Sequence, residues 1–125
     1  MDKSVKKEYK LVEKPWILSN ENNTFENMIT SQGVDMKVYF HTDDLNGGSV
    51  TLPPHKRVGK ISAHPSAETY YIVRGVLKVE LPRLKETVTL KPGDLFYMPG
   101  GMIHAPYNDS EEECFFIWQC GPGWP

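Results

Sequence analysis

The chain has 125 residues, of which 39% are hydrophobic and 24% are charged. These proportions are typical of a globular domain and argue against disorder over most of the chain. Its formal net charge of -2 provides no basic field for a phosphate backbone, so nucleic acid is excluded as a partner. The length predicts one domain that buries a core without help from disulfides, and a small molecule is the expected ligand.

The first fourteen residues form a charged N-terminal arm, with five lysines among three acidic residues. Neither an apolar signal core nor an apolar run of membrane length occurs in the sequence. We therefore expect a cytoplasmic protein with no membrane partner, divided into the arm 1–14 and a single β-barrel domain 15–125.

The remaining sequence alternates short β-prone runs with turn residues. Residues 15–27 predict a short edge strand followed by a loop. Further runs rich in Val, Ile, Tyr, Phe and Thr lie at 36–41, 47–54, 68–75, 76–82, 86–94, 95–101 and 114–120. Such spacing predicts an all-β fold, a small antiparallel sandwich or barrel. The run 114–120 is apolar on both faces, which is typical of a central strand.

The two cysteines, Cys114 and Cys120, lie on that same predicted strand. At about 3.3 Å per residue they would be roughly 20 Å apart, too far for a disulfide. We expect both to be reduced thiols.

Residues 93–108, "GDLFYMPGGMIHAPYN", contain one of two sequence motifs that include candidate site residues. Its spacing is Gly, five residues, Pro, one residue, Gly, two residues, His, three residues, Asn. This pattern resembles the second motif of the cupin superfamily at all five positions, which are Gly93, Pro99, Gly101, His104 and Asn108.

A partial match to the first cupin motif lies upstream. His64, Glu68 and Gly75 occupy the positions of its second histidine, its glutamate and a later glycine. Ser62 stands where the family has its first histidine, and Lys56 where it has the opening glycine. The resemblance covers about residues 50 to 120 and implies a small antiparallel β-barrel, a double-stranded β-helix or jelly roll.

The resemblance also implies one divalent metal ion, Fe, Mn, Zn or Ni, held by His64, Glu68 and His104. Two imidazoles and a carboxylate suit these ions. Ser62, at the position of the missing histidine, is a much weaker ligand, so the affinity would fall and the metal could be absent altogether. His55 lies an odd number of residues from position 64, and an uninterrupted strand would aim it outward.

Tyr70 is the candidate catalytic residue because it shares strand parity with Glu68 and would project to the same inner face. The arrangement resembles small single-domain cupin lyases, in which a tyrosine two residues after the metal-binding glutamate acts as general base; packing alone would also explain Tyr70. The expected function is a divalent-metal-dependent lyase or isomerase acting on a small carboxylate or sugar-like compound. The alternatives are a non-haem iron dioxygenase and a non-catalytic cupin that binds a small ligand and has lost its metal.

The bulky side chains near the motifs are expected to line the barrel and to restrict the substrate to a small, partly apolar compound. They are Phe96, Tyr97, Met98, Met102, Tyr107, Phe116 and Trp118. The resemblance further suggests a homodimer, in which Trp16, Ile17 and Leu18 or the outer sheet face would pack on the partner barrel.

Overall fold

The computed structural model describes residues 26–29, 33–59 and 63–123, the first of these stretches through its backbone only. The charged arm 1–14, the candidate contact residues Trp16, Ile17 and Leu18, and Ser62 lie outside the described residues. The strands are β1 (Glu26–Ile29), β2 (Asp35–His41), β3 (Asn46–Leu52), β4 (Glu68–Arg74), β5 (Leu77–Leu81), β6 (Glu86–Leu90), β7 (Leu95–Met98), β8 (Ala105–Tyr107) and β9 (Cys114–Cys120).

Six strands form an antiparallel sheet in the order β1-β2-β3-β9-β4-β7. The strand β9 lies between β3 and β4, as predicted for a segment that is apolar on both faces. Its side chains nevertheless alternate, with Phe116 and Trp118 buried and Gln119 exposed on the other face. The central strand therefore contributes its largest side chains to the interior.

The second sheet has three antiparallel strands in the order β6-β5-β8. The strand β5 shows a strict alternation in which Leu77, Val79 and Leu81 are buried. The strand β8 lies at an edge of this sheet, where proline is tolerated because its missing N–H breaks no ladder. On the far side of β8 the carbonyl of Pro106 accepts a 3.2 Å hydrogen bond from Val58 N–H.

The two sheets face each other across one apolar core, to which β3, β4 and β9 contribute from one side and β5 from the other. The predicted all-β, antiparallel fold is confirmed. Among the described residues the hydrogen bonding runs within two separate sheets and does not close into one continuous barrel. Within these same residues, no helix has the length and apolarity needed to cross a membrane.

Candidate metal centre

The three predicted ligands come from three different places in the fold. Glu68 is the first residue of β4, His64 lies in the loop just before it, and His104 immediately precedes β8 in the other sheet. The loops that carry the histidines are joined by a 2.7 Å hydrogen bond from Gly101 N–H to the His64 carbonyl. A Cβ atom on Gly100 would lie 2.3 Å from the Pro65 carbonyl oxygen, so this contact requires glycine.

The donor atoms converge at one point. Glu68 Oε1 lies 2.9 Å from His104 Nε2 and 3.5 Å from His64 Nε2. One donor atom from each residue lies within 4.8 Å of the other two, and the described residues contain one such cluster. The side chains of His104, Glu68 and His64 are 2%, 7% and 11% exposed, so the cluster is shielded from solvent and His64 is the most exposed of the three.

The chemistry of this donor set fits a divalent cation. His104 Nδ1 is 2.9 Å from the Met102 carbonyl oxygen, to which it donates, so in neutral imidazole the Nε2 lone pair points towards Glu68. Glu68 Oε1 is buried and, although close to Nε2, accepts no hydrogen bond of ordinary geometry from the described residues. Two lone pairs facing each other repel unless a proton or a cation lies between them, and nitrogen and oxygen donors suit zinc, iron, manganese or nickel.

The Glu68 carboxylate makes the cluster attractive to positive charge, either a proton or a cation. Burial alone raises the pKa of Glu68, but the facing imidazoles of His104 and His64 outweigh it and hold that pKa below its ordinary value. Burial alone lowers the pKa of His104, but the Glu68 carboxylate and the Met102 carbonyl outweigh it and raise that pKa. Without a cation, the site therefore keeps a carboxylate beside an imidazole that readily holds a proton.

These opposite shifts predict how the stability of the metal-free protein depends on pH. The lowered pKa of Glu68 stabilises the fold above its ordinary value of 4.5, and this contribution is lost as the pH falls. The raised pKa of His104 stabilises the fold below its ordinary value of 6.5, and this contribution is lost as the pH rises. We expect the contribution of this pair to the free energy of unfolding, measured by urea denaturation in chelator, to be largest between those two values.

Glu68→Gln is the control for this titration because its neutral amide removes the charge that raises the pKa of His104. The stability of this variant should fall less than that of the parent from about pH 6 to about pH 8. If the free energy of unfolding changed equally with pH in the parent and in Glu68→Gln, the charge pair between Glu68 and His104 would be contradicted.

Tyr70 lies on the inner face of β4, as predicted from its spacing of two residues from Glu68. It is buried on the same inner face of β4 as Glu68, with its ring centroid 6.0 Å from that of His104 and 4.8 Å from that of Phe116. Burial, followed by the charge of Glu68 and the thiol of Cys120, raises the pKa of Tyr70 well above 10. Before a cation binds, Tyr70 therefore keeps its proton.

Two other sequence expectations concern residues outside the cluster. His55 is exposed and bonds to Glu111 on the surface, so it points outward as predicted and takes no part in the cluster. Cys114 and Cys120 are free and buried, and burial raises their pKa values to about 11 and about 12. Both are therefore protonated thiols at neutral pH.

The expected interior lining is only partly correct. Met98, Phe116 and Trp118 are buried in the core, and Phe96 and Met102 pack against it. Tyr97 instead projects outward with 63% of its surface exposed, because β7 places alternate residues, Phe96 and Met98, on the inner face. Tyr97 therefore does not restrict the substrate.

One group at the site, the Met102 carbonyl, has no signature in the sequence, because every residue has a backbone carbonyl. Asn108, the last residue of the second motif, is buried and has a structural role. Its side-chain amide donates to the carbonyls of Leu52 at 3.1 Å and Glu112 at 2.7 Å, and so ties the loop after β8 to the end of β3.

Comparison with known proteins agrees with this architecture. A family model described as the cupin domain matches residues 48–120, which include both motifs and all three candidate ligands. The chain belongs to the cupin superfamily. No curated protein sequence matches this cupin.

Several solved structures resemble this cupin in fold. KdgF from Halomonas sp. is 24% identical with a TM-score of 0.73, and the match covers 89% of this chain and 96% of that one. An RmlC-like cupin from Shewanella frigidimarina is 18% identical with a TM-score of 0.70, covering 87% and 93%. The polyketide cyclase RemF from Streptomyces resistomycificus is 15% identical with a TM-score of 0.66, covering 77% and 72%.

Proposed function

We propose that this cupin is a divalent-metal-dependent lyase or isomerase that acts on a small carboxylate or sugar-like compound. The observation that carries the proposal is the buried convergence of His64, Glu68 and His104 beside the inward-facing Tyr70. A shielded set of nitrogen and oxygen donors next to a proton-bearing side chain combines charge stabilisation with proton transfer.

The cation would be held by these three residues, and it would stabilise negative charge that develops on a substrate carboxylate or carbonyl. Glu68 supplies the anionic donor, since its lowered pKa keeps it ionised at neutral pH. The Met102 carbonyl fixes the ring orientation and tautomer of His104.

Tyr70 is proposed to exchange a proton with the substrate. The charge of Glu68 contributes to the raised pKa of this phenol, and a bound cation would offset that charge and bring the pKa down. The Tyr70 ring lies beside the cluster, with its centroid 6.0 Å from that of His104, and proton transfer by this phenol would be separate from metal binding by the three histidine and glutamate donors.

The substrate is expected to be small, because large buried side chains such as Phe116 and Trp118 fill the interior near Tyr70. It would reach the cluster from the His64 side, where the exposure is greatest. One structural neighbour is a polyketide cyclase by name, so in that protein a similar fold carries an enzyme.

The proposed function is tested with Tyr70→Phe, which removes the hydroxyl and keeps the packing. The metal-loaded protein is incubated in D₂O with a panel of small 2-keto, 2-hydroxy and sugar acids, and deuterium exchange and product formation are followed by NMR. Turnover should fall at least about a hundredfold in the variant, while its metal content stays equal to that of the parent. Unchanged turnover would show that the Tyr70 hydroxyl takes no part in the reaction.

A second candidate, a non-haem iron dioxygenase, is favoured by the two-histidine, one-carboxylate composition of the cluster. Oxygen uptake by the protein loaded with ferrous iron in the presence of the same acids would support it. Turnover with zinc or manganese in the absence of oxygen would support the lyase or isomerase. A protein that binds these acids and converts none of them would be the non-catalytic ligand-binding cupin.

A further inference from the structure

The loop that carries His64 contacts two turns. We call residues 63–67 the ligand loop, and residues 121–123, which directly follow β9, the C-terminal turn. The first contact is with the turn at Gly100 and Gly101, described above. In the second contact, Gly121 N–H donates to the Ala67 carbonyl at 3.2 Å. This bond ties the ligand loop to the segment that follows the central strand of the six-stranded sheet.

The C-terminal turn packs tightly on the ligand loop. A Cβ atom on Gly121 would lie 3.1 Å from the Cβ atom of Ser66, and one on Gly123 would lie 2.7 Å from Cγ of Pro65. Both distances are shorter than the optimal separation of about 3.5–4.0 Å between carbon atoms. The two backbones therefore approach each other closely, and a displacement of the C-terminal turn would displace the ligand loop as well.

The ligand loop determines the orientation of the His64 ring. The ring of His104 is fixed by the Met102 carbonyl, which accepts a hydrogen bond from Nδ1. His64 Nδ1 is buried, and it has no hydrogen-bond partner among the described residues. Histidines that bind metal are usually oriented by such a partner. For His64, the backbone of the ligand loop must supply this orientation instead.

Asn46, the first residue of β3, fastens the C-terminal turn. Its side chain is fully buried, and its amide donates to the Gly121 carbonyl at 2.9 Å. Its amide oxygen accepts a 3.2 Å hydrogen bond from Thr42 N–H and is also bonded to the ring of His41. Rotation of this buried amide would leave both of its ends unsatisfied, which is costly. Asn46 therefore holds the C-terminal turn against the turn between β2 and β3.

Asn46 also lies in line with the metal centre. It is opposite Cys120 on β9, and Cys120 is opposite Glu68, the first residue of β4. Two strand spacings of about 4.8 Å separate the backbones of Asn46 and Glu68 by roughly 10 Å. Asn46 is therefore too distant to be a metal ligand, and any effect on the donors passes through the C-terminal turn.

We propose that Asn46 is a positioning residue for the metal centre. Through the C-terminal turn it fixes the ligand loop, and so it sets the position of His64 Nε2 relative to Glu68 Oε1. The proposal rests on the metal centre of the proposed function, because positioning serves cation binding only if these donors hold a cation. It assigns a role at the site to a buried amide that is not itself a donor.

The proposal is tested with Asn46→Ala, which removes the amide without adding charge. In calorimetric titration of the chelator-treated protein with zinc, the affinity should fall about tenfold, as for other residues that orient metal ligands. Asn108→Ala is the matched control, because Asn108 is a buried amide bonded to the carbonyl of Leu52, at the far end of β3. It should lower the stability to urea and keep the parent affinity. Equal losses of affinity in the two variants would overturn the proposal.

Gly121→Ala is a second variant that leaves Asn46 in place. Its added Cβ atom would press on Ser66, which must move by a few tenths of an ångström, and Gly121 is not in the left-handed region. The variant should therefore fold and bind zinc severalfold more weakly. Gly93→Ala is its control, because a Cβ atom there meets nothing within 4 Å. Parent-like affinity in Gly121→Ala would overturn the proposal even if Asn46→Ala failed to fold.

Amide hydrogen exchange, followed by NMR in the metal-free protein, provides a readout that requires no metal. The N–H groups of Gly101 and Gly121 report on the two contacts of the ligand loop. Both should exchange at least about tenfold faster in Asn46→Ala than in Asn108→Ala, because local opening exposes only the amides of the segment that opens. Equal rates in the two variants would contradict the proposal. A parent that binds no zinc but shows this difference would refute the metal centre and support the role of Asn46 in holding the ligand loop.

Discussion

Glu68→Gln is expected to lower the affinity for a divalent metal by on the order of a hundredfold or more. Glu68 Oε1 lies within 3.5 Å of both imidazoles and is the anionic donor of the cluster. The amide of glutamine has nearly the same shape as the carboxylate but no charge. The loss of metal affinity therefore measures the contribution of the carboxylate charge. The measurement is titration of the chelator-treated protein with zinc and manganese by calorimetry.

Glu80→Gln is the matched control for this titration. Glu80 lies in the other sheet, where it forms a 2.9 Å ion pair with Arg57 at the surface. Its replacement should leave the metal affinity unchanged. Glu68→Gln should also fold when metal-free, because glutamine keeps the size and shape of the glutamate side chain, although the charge pair with His104 is lost. Parent-like affinity in Glu68→Gln would show that the carboxylate is not a ligand.

Gly48→Ala is expected to have the largest effect on stability, a loss of about 3 kcal/mol or more in the free energy of unfolding. A Cβ atom at Gly48 would lie 1.8 Å from the carbonyl oxygen of Lys37 and 3.0 Å from the Trp118 ring. The first contact is with backbone, so no side-chain rotation relieves it and β2 must move away from β3. Urea denaturation of the metal-free variant measures the cost.

Gly93→Ala separates this steric effect from the conformational preference of glycine. Gly93 has φ +91° and its added Cβ would meet nothing within 4 Å. Its replacement should cost only about 1 kcal/mol, the penalty for an L-residue in the left-handed region. Equal losses in the two variants would mean that close approach of β2 and β3 is not what requires glycine at position 48.

The sequence predicted the strands that alternate clearly or are apolar throughout, including β4, β5 and β9. It did not predict β8, because Ala105–Tyr107 is short and contains a proline. That strand is specified by pairing with Lys78–Glu80, far away in the sequence. The edge strand expected at the start of 15–27 lies outside the described residues, and β1 (Glu26–Ile29), which pairs with β2 at the sheet edge, begins where the following loop was expected.

At the site, the resemblance to the two cupin motifs predicted which residues converge. The spacing did not reveal how they are held: the Met102 carbonyl orients His104, and the Gly101 N–H bonds to the loop of His64. Backbone groups have no signature in a sequence. Tyr97 was wrongly expected inside because its neighbours are apolar, and only the register of β7 with β4 shows which residues face inward.

The most direct test of the metal centre is elemental analysis of the full chain, purified without a histidine tag or chelator. His104→Ala removes a buried donor, and His55→Ala is the control because His55 is an exposed histidine outside the cluster. We expect about one metal ion per chain in the parent and in His55→Ala, and none in His104→Ala. A parent that stays metal-free after incubation with iron, manganese, nickel and zinc, or a His104→Ala variant that keeps its metal, would contradict this expectation.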